Sequence, residues 1–123
     1  MKIYEYLTFK FNNYKDVETV LKKYKTSQVN ILFTNQFLSL LGPHVMTEFE
    51  ELFKKKKVNL IAEVGTNIGL ALTLIELDVK KISISKNFEK KILNKVKSLA
   101  QKKNIKILVT EKFQRIINTN KLI

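Results

Sequence analysis

The chain has 123 residues, a size typical of one domain, and 45% of them are hydrophobic and 10% aromatic, which is a globular composition. Cysteine is absent, so the sequence excludes a disulfide framework, a thiolate metal site and a cysteine nucleophile, and we expect a reducing, cytoplasmic setting. The formal net charge of +12 and the pI of 9.9 make nucleic acid or an acidic membrane candidate partners.

The make-up of this charge weakens the argument for nucleic acid. Arg115 is the single arginine among 23 basic residues, whereas nucleic-acid readers rely on arginine for bidentate contacts. An AT-rich genome also produces abundant lysine, asparagine and isoleucine without selection for binding. We expect no membrane partner, because charged residues and two glycines interrupt the most apolar stretch, Val58 to Val79.

The first third of the chain predicts a strand, a helix and a second strand. Loose alternation of apolar residues from Ile3 to Phe11 suits a short edge strand. Apolar residues at helical spacing predict an amphipathic helix from Tyr14 to Lys25. Val29 to Phe33 is a β-rich run that predicts a buried strand, and Gln36 to Leu41 is apolar connecting chain with at most one helical turn.

The middle of the chain repeats this order. Gly42 and Pro43 should open a helix, because proline at the first helical position loses no needed N–H. Asn59 to Val64 predicts a second buried strand that stops at Gly65. Thr66 or Asn67 can cap the helix that follows.

The last third adds two strands and a long helix. Lys81 to Ser85 predicts a third strand, and Ser85 or Asn87 is expected to cap the long helix after it. Ile105 to Val109 predicts a fourth strand, and a short helix is expected around Phe113 to Ile117. Strands that alternate with helices and short connections indicate a parallel sheet, so residues 1–123 are predicted to form one α/β domain: a three-layer, doubly wound, mainly parallel sheet of four or five strands.

Ligands of such sheets bind beyond the carboxyl ends of the strands. The polar and glycine positions that we expect at this edge, as a ligand-binding site, are Asn35, Glu63, Gly65, Thr66, Asn67, Gly69 and Ser85. The segment Glu63 to Gly69 resembles the first motif of Rossmann-type methyltransferases, and that resemblance implies a nucleotide-like ligand at a helix start. Asn67 replaces one of the usual glycines, and Ser85 stands where the ribose-binding acidic residue is usual. A tight turn with a helix cap, and no cofactor, is the plainer interpretation.

Other chemistry-bearing residues have plain interpretations too. His44 has Glu48 one turn away, but a lone histidine makes no metal site and a solvated helix start is favoured; we predict no metal and no catalytic residue. Glu63 is expected to pair with Lys81 or Lys86. The lysine runs, at Lys54 to Lys57 and along the last long helix, are interpreted as solvated faces or, alternatively, as a phosphate-binding surface.

From Asp16 to Val109 the order of features resembles a small uncharacterised α/β family of alphaproteobacteria, which has a Leu-Asp-Cys-Gly-Asp turn before a Gly-x-Ala-Leu helix. The matching residues here are Gly42, Ala62 to Thr66, Gly69 to Leu72 and Leu77 to Ile82. Glu63 and Val64 stand in place of the family's aspartate and cysteine. The family has no assigned activity, so the resemblance implies a fold and no function.

Three functional hypotheses remain open. The first is a non-enzymatic domain that self-associates as a homo-oligomer through the nearly all-apolar helix Ile68 to Leu77, which must be covered on every side. The second is a small-ligand or nucleotide site at the turn Gly65 to Gly69. The third is nucleic-acid binding through lysine-rich helix faces.

Overall fold

The computed structural model describes residues 2–11, 14–24 and 28–118 and contains a six-stranded, all-parallel sheet with five α-helices. The strands are β1 (Thr8–Phe11), β2 (Val29–Phe33), β3 (Val58–Gly65), β4 (Lys81–Ile84), β5 (Lys106–Val109) and β6 (Ile116–Asn118). The α-helices are α1 (Tyr14–Lys23), α2 (Asn35–Leu41), α3 (Val45–Leu52), α4 (Ile68–Glu76) and α5 (Lys90–Lys102), and two 3₁₀ turns span Lys2–Glu5 and Thr110–Lys112.

The predicted class, a three-layer parallel α/β domain, is confirmed, but the sheet has six strands rather than four or five. The strand order is β5-β4-β3-β2-β1-β6. From β1 to β5, each new strand is therefore added on the same side of the strand before it. Of the described strands, only β6 is added on the other side of the sheet, next to β1. Because all strands are parallel, they all begin at the same edge of the sheet, which we call the amino edge. Every α-helix that leads into a strand ends at this edge.

One face of the sheet carries the main core. Successive side chains of a strand point to opposite faces, so Phe9, Ile31 and Ile82 share a face with their alternate neighbours. The buried hydrophobic side chains of all five α-helices belong to this same core, among them Val17 of α1 and Val96 of α5. The helices therefore form a single layer on this face.

The opposite face is covered by a thinner layer. Leu32, Ile61 and Leu108 point to it and pack against Ile3 and Phe113, which belong to the 3₁₀ turns or lie next to them. The first 3₁₀ turn thus takes the place of the first residues of the predicted edge strand, which begins only at Thr8. Since β1 lies between β2 and β6, it is also an interior strand.

The tail forms a strand where we expected a helix. The backbone N–H of Gln114 donates to the carbonyl of Tyr4 (3.0 Å), and the N–H of Thr8 donates to the carbonyl of Arg115 (2.8 Å). These partners stand more than a hundred residues apart in the chain, so the local pattern of the tail does not reveal them. The helix expected around residues 113–117 is wrong for this reason.

Side-chain caps decide several helix ends. Thr34 Oγ1 accepts from the N–H of Phe37 (3.2 Å), which starts α2 as a seven-residue helix where at most one turn was expected. The predicted cap at Asn67 is confirmed, because its Oδ1 accepts from the N–H of Leu70 (3.0 Å). Glu89, rather than Ser85 or Asn87, caps α5.

Most of helix α4 is covered by its own chain. Leu70, Ala71, Leu74 and Ile75 are buried in the main core, against β3 and α5, while Leu72 is 38% exposed. The almost uniformly apolar sequence is therefore largely explained by burial within the fold. Across residues 2–11, 14–24 and 28–118, no helix combines the length and the apolarity needed to cross a membrane.

Candidate functional site: two edges of the sheet

Three of the predicted ligand-binding residues meet at the carboxyl edge. Gly65 has a left-handed backbone (φ +60°), and its carbonyl accepts from the N–H of Ser85 (3.0 Å). A Cβ on Gly65 would lie 3.4 Å from Nδ2 of Asn35, so this side chain stands directly beside the turn. The strand ends therefore bring Asn35, Gly65 and Ser85 together, as expected of parallel neighbours.

Glu63 does not join them. Its side chain points to the thinly covered face, where Oε2 lies 3.6 Å from Nζ of Lys10, and it is 16% exposed. The expected pairing with Lys81 or Lys86 is wrong, because the sheet places β1 two strands away from β3 with Lys10 on the same face.

The remaining members of the predicted site serve the start of α4. Asn67 uses its side-chain oxygen as the cap, while Thr66 and Gly69 are exposed. The carbonyl of Gly69 accepts from Thr73 Oγ1 (2.9 Å). These contacts fit the tight turn and helix cap that the sequence favoured, and a ligand at this turn stays a prediction.

Glu111 also lies at the carboxyl edge, although it is not among the seven predicted ligand-binding residues. Its two oxygens accept from Ser85 Oγ (3.0 Å) and from the N–H of Lys86 (2.8 Å). Desolvation acts to raise the pKa of Glu111, but the hydrogen bonds from Lys86, from its own N–H and from Ser85 together lower the pKa below its usual value. The hydroxyl of Ser85 is consequently engaged by the protein itself.

The amino edge is strongly basic. We define this basic edge as the last turn of each α-helix that leads into a strand, the loop after it and the first residue of that strand. Within the described ranges it holds four carboxylates (Glu50, Glu51, Glu76 and Asp78) and eleven lysines: Lys22, Lys23, Lys54, Lys55, Lys56, Lys57, Lys80, Lys81, Lys102, Lys103 and Lys106.

The carboxyl edge, defined in the same way from strand ends to first helical turns, is much less charged. Its described residues include five lysines and three carboxylates: Lys15, Lys86, Lys90, Lys91, Lys112, Asp16, Glu89 and Glu111. Lysines near helix C-termini interact favourably with the helix dipole. Because the one-way winding gathers those C-termini at one edge, positive charge accumulates there.

Two clefts open at the basic edge. Cleft A has a volume of about 510 Å³ and is lined by Thr47, Glu50, Glu51, Phe53, Lys54, Lys56, Val58, Leu60, Leu77, Asp78, Lys80 and Lys81. Cleft B has a volume of about 680 Å³ and is lined by Glu18, Leu21, Lys22, Tyr24, Lys56, Lys57 and Val58. None of the seven predicted ligand-binding residues lines either cleft.

Burial perturbs two charged groups of cleft A. Desolvation raises the pKa of Glu50, although its Oε2 accepts from the N–H of Lys80 (2.8 Å). Desolvation also lowers the pKa of Lys81, and the charge of Lys106 adds to this effect. Both groups therefore hold their charge less readily than in water.

Cleft B combines positive charge with an aromatic ring. Lys22, Lys56 and Lys57 line the cleft together with Tyr24, and Lys23 Nζ lies 5.8 Å from the centroid of the Tyr24 ring. The fold creates this combination by bringing the end of α1 next to the loop after α3.

His44 is exposed at the start of α3, where its side chain makes no capping hydrogen bond. In the part of the chain that the structure describes, no group of three or more histidine, aspartate or glutamate side chains is arranged to hold a metal ion.

No protein-family model matches the chain, and no curated protein sequence matches it either. The class that fold and surface define is a parallel α/β domain with a strongly basic edge, which clefts A and B indent. The resemblance to the alphaproteobacterial family stays a prediction.

Proposed function

We propose that this protein is a non-enzymatic nucleic-acid-binding domain that holds the phosphate backbone along its basic edge. The observation that carries this proposal is the one-sided charge: the basic edge holds eleven lysines and four carboxylates, whereas the opposite edge holds five lysines and three carboxylates. A uniform excess of lysine would load both edges alike. The pI of 9.9 agrees with a nucleic-acid partner.

The residue type favours contacts to phosphate over readout of sequence. Lysine is a compact, mobile point charge that neutralises phosphate, whereas bidentate recognition of bases relies on arginine. The basic edge as defined has lysines as its only cations. We therefore propose binding that is sensitive to salt and indifferent to base sequence.

The shape of the edge favours nucleic acid over a membrane surface. The two clefts indent the edge between α1, the loop after α3 and the loop after α4, and lysines line both of them. A flexible phosphate strand can follow such indentations, whereas a flat lipid surface meets only the lysines on the rims.

A charge-matched pair of variants tests the proposal. One removes three exposed lysines of the basic edge (Lys55→Gln, Lys56→Gln and Lys57→Gln), and the control removes three exposed lysines of α5 (Lys90→Gln, Lys91→Gln and Lys95→Gln). Affinity for a labelled single-stranded oligonucleotide is measured by fluorescence anisotropy over a range of salt concentrations. Each lost phosphate contact should reduce the magnitude of the slope of log K against log salt concentration by about 0.7. The slope of the edge variant should therefore fall by about 2 in magnitude, and the slope of the control should not change.

Three outcomes would contradict the proposal. Equal losses in the two variants would show that net charge, not its position, governs binding. If the protein binds the oligonucleotide no more tightly than an unrelated lysine-rich protein of equal charge does, nucleic-acid binding is not its function. Tight binding of vesicles that contain anionic lipid, with no binding of the oligonucleotide, would point to a membrane surface.

Self-association is the second candidate function, and exposed leucines of α2 and α3 favour it. Leu40, Leu41 and Leu52 are 83%, 50% and 59% exposed. These exposures support a contact surface on α2 and α3 rather than on α4. Sedimentation should detect a dimer or larger species that Leu40→Ser weakens and Leu99→Ser, a control on α5, leaves intact. A strictly monomeric protein at micromolar concentration would exclude this candidate.

A further inference from the structure

We propose that cleft B receives one unstacked nucleobase, so that the basic edge selects single-stranded over double-stranded nucleic acid. This inference rests on the proposed function and adds the class of nucleic acid. It depends on the ring of Tyr24 and on the lysines around it, not on the total charge.

The lining of cleft B matches the two chemical parts of a nucleotide. Tyr24, Leu21 and Val58 supply aromatic and apolar surface for a planar base. Lys56 and Lys57 supply positive charge for its phosphates, as does Lys22. Ligand pockets commonly measure about 300 to 1,000 Å³, and the volume of about 680 Å³ lies within that range.

The Tyr24 ring is held in place before any ligand arrives. Its backbone N–H donates to the carbonyl of Val20 (2.9 Å), which extends the α1 hydrogen-bond pattern by one residue. Its ring packs against Phe9, a fully buried residue of β1, with 5.1 Å between ring centroids. A ring that is already immobilised loses little conformational entropy on stacking, which favours binding.

The selection of single strands follows from where bases lie in the two kinds of nucleic acid. In a duplex the bases are paired and stacked inside, so a base reaches a pocket only after it is unstacked at a cost of a few kcal/mol. In a single strand the bases are already accessible. The lysines attract both forms, and cleft B provides the difference between them.

The test changes the nucleic acid while the protein stays intact. Binding of a labelled oligothymidylate is compared with binding of an abasic oligomer that has the same number of phosphates, and with binding of a duplex. The abasic oligomer should bind about tenfold more weakly, a ratio that corresponds to about 1.4 kcal/mol for one stacked base. The Tyr24→Leu variant should bind both single strands equally, and Tyr24→Phe should keep the difference.

The outcomes separate this inference from the proposed function. If both single strands bind equally and with strong salt dependence, the basic edge stands and the base pocket is overturned. If neither strand binds, the proposed function fails first. If the free mononucleotide binds as tightly as the oligomer, the occupant is a nucleotide and the selection of strands is overturned.

A second measurement needs no variant, which matters because Tyr24→Leu also removes a contact with Phe9. An oligomer that contains 5-bromodeoxyuridine is irradiated in the complex, and the cross-linked peptide is identified by mass spectrometry. Attachment at Tyr24 supports the pocket. Attachment confined to residues outside cleft B overturns it.

Discussion

The substitution Asn30→Ala should destabilise the fold strongly, because it removes the centre of a buried hydrogen-bond network. Nδ2 of Asn30 donates to the carbonyl of Ile3 (2.7 Å) and to Thr8 Oγ1 (3.0 Å), and its Oδ1 accepts from Asn59 Nδ2 (3.0 Å). Asn30 is fully buried, so its partners lose these bonds in a place that water reaches poorly. At about 1 kcal/mol for each bond, the loss is about 3 kcal/mol, a large part of the 5–15 kcal/mol typical of a domain.

Denaturant unfolding, followed by circular dichroism, measures this free energy. Asn59→Ala is the matched control: it removes one of the three bonds from a half-buried side chain and should cost about 1 kcal/mol. The double variant loses the bond between Asn30 and Asn59 only once. Its loss of stability should therefore be about 1 kcal/mol smaller than the sum of the two single-variant losses. A cost below about 1 kcal/mol for Asn30→Ala would refute the reasoning.

Two further changes test the turn at the carboxyl edge and the charge of cleft A. Gly65→Ala should lower the free energy of unfolding by about 1–2 kcal/mol, because Gly65 has a left-handed backbone. Gly69→Ala, within α4, should raise it by about 0.5–1 kcal/mol. Equal effects of the two substitutions on the melting temperature would contradict this. Since burial raises the pKa of Glu50, folding disfavours its ionised form, and Glu50→Gln should raise the melting temperature at pH 7. That gain should disappear below pH 4.5, where the carboxyl of the unmodified protein is protonated in both states; a gain that persists there would have another origin.

The sequence predicts the parts of the fold that local patterns determine. Strands β2 and β3 are mainly apolar runs, interrupted by Asn30 in β2 and by Asn59 and Glu63 in β3, and the amphipathic spacing of α1 and α5 leaves little choice of structure. Strand β6 has three residues and depends on pairing with the distant β1, so no local stretch of the sequence predicts it. The capping hydroxyl of Thr34 was a readable signal for α2, but a seven-residue helix is too short for a clear period.

The candidate site was predictable to a different degree at each edge. Asn35, Gly65 and Ser85 meet because parallel strands end at one edge, a rule that needs no coordinates. The partner of Glu63 was not predictable, since Lys10 reaches it only through the long-range order of the sheet. The basic edge left a signal that we interpreted as solvated helix faces: lysines lie at the ends of successive helices, and a parallel sheet gathers those ends.

The cover over the thinly covered face comes from both extremes of the described chain, and this restricts when it can form. Tyr4 packs against Phe113 (4.9 Å between ring centroids), and its hydroxyl accepts from the N–H of Val109 (3.0 Å). During synthesis Tyr4 leaves the ribosome long before Phe113 has been added to the chain. Leu32 and Ile61 therefore stay partly open to water until the last segment emerges, and that interval is when a nascent chain is most exposed to aggregation and to chaperones.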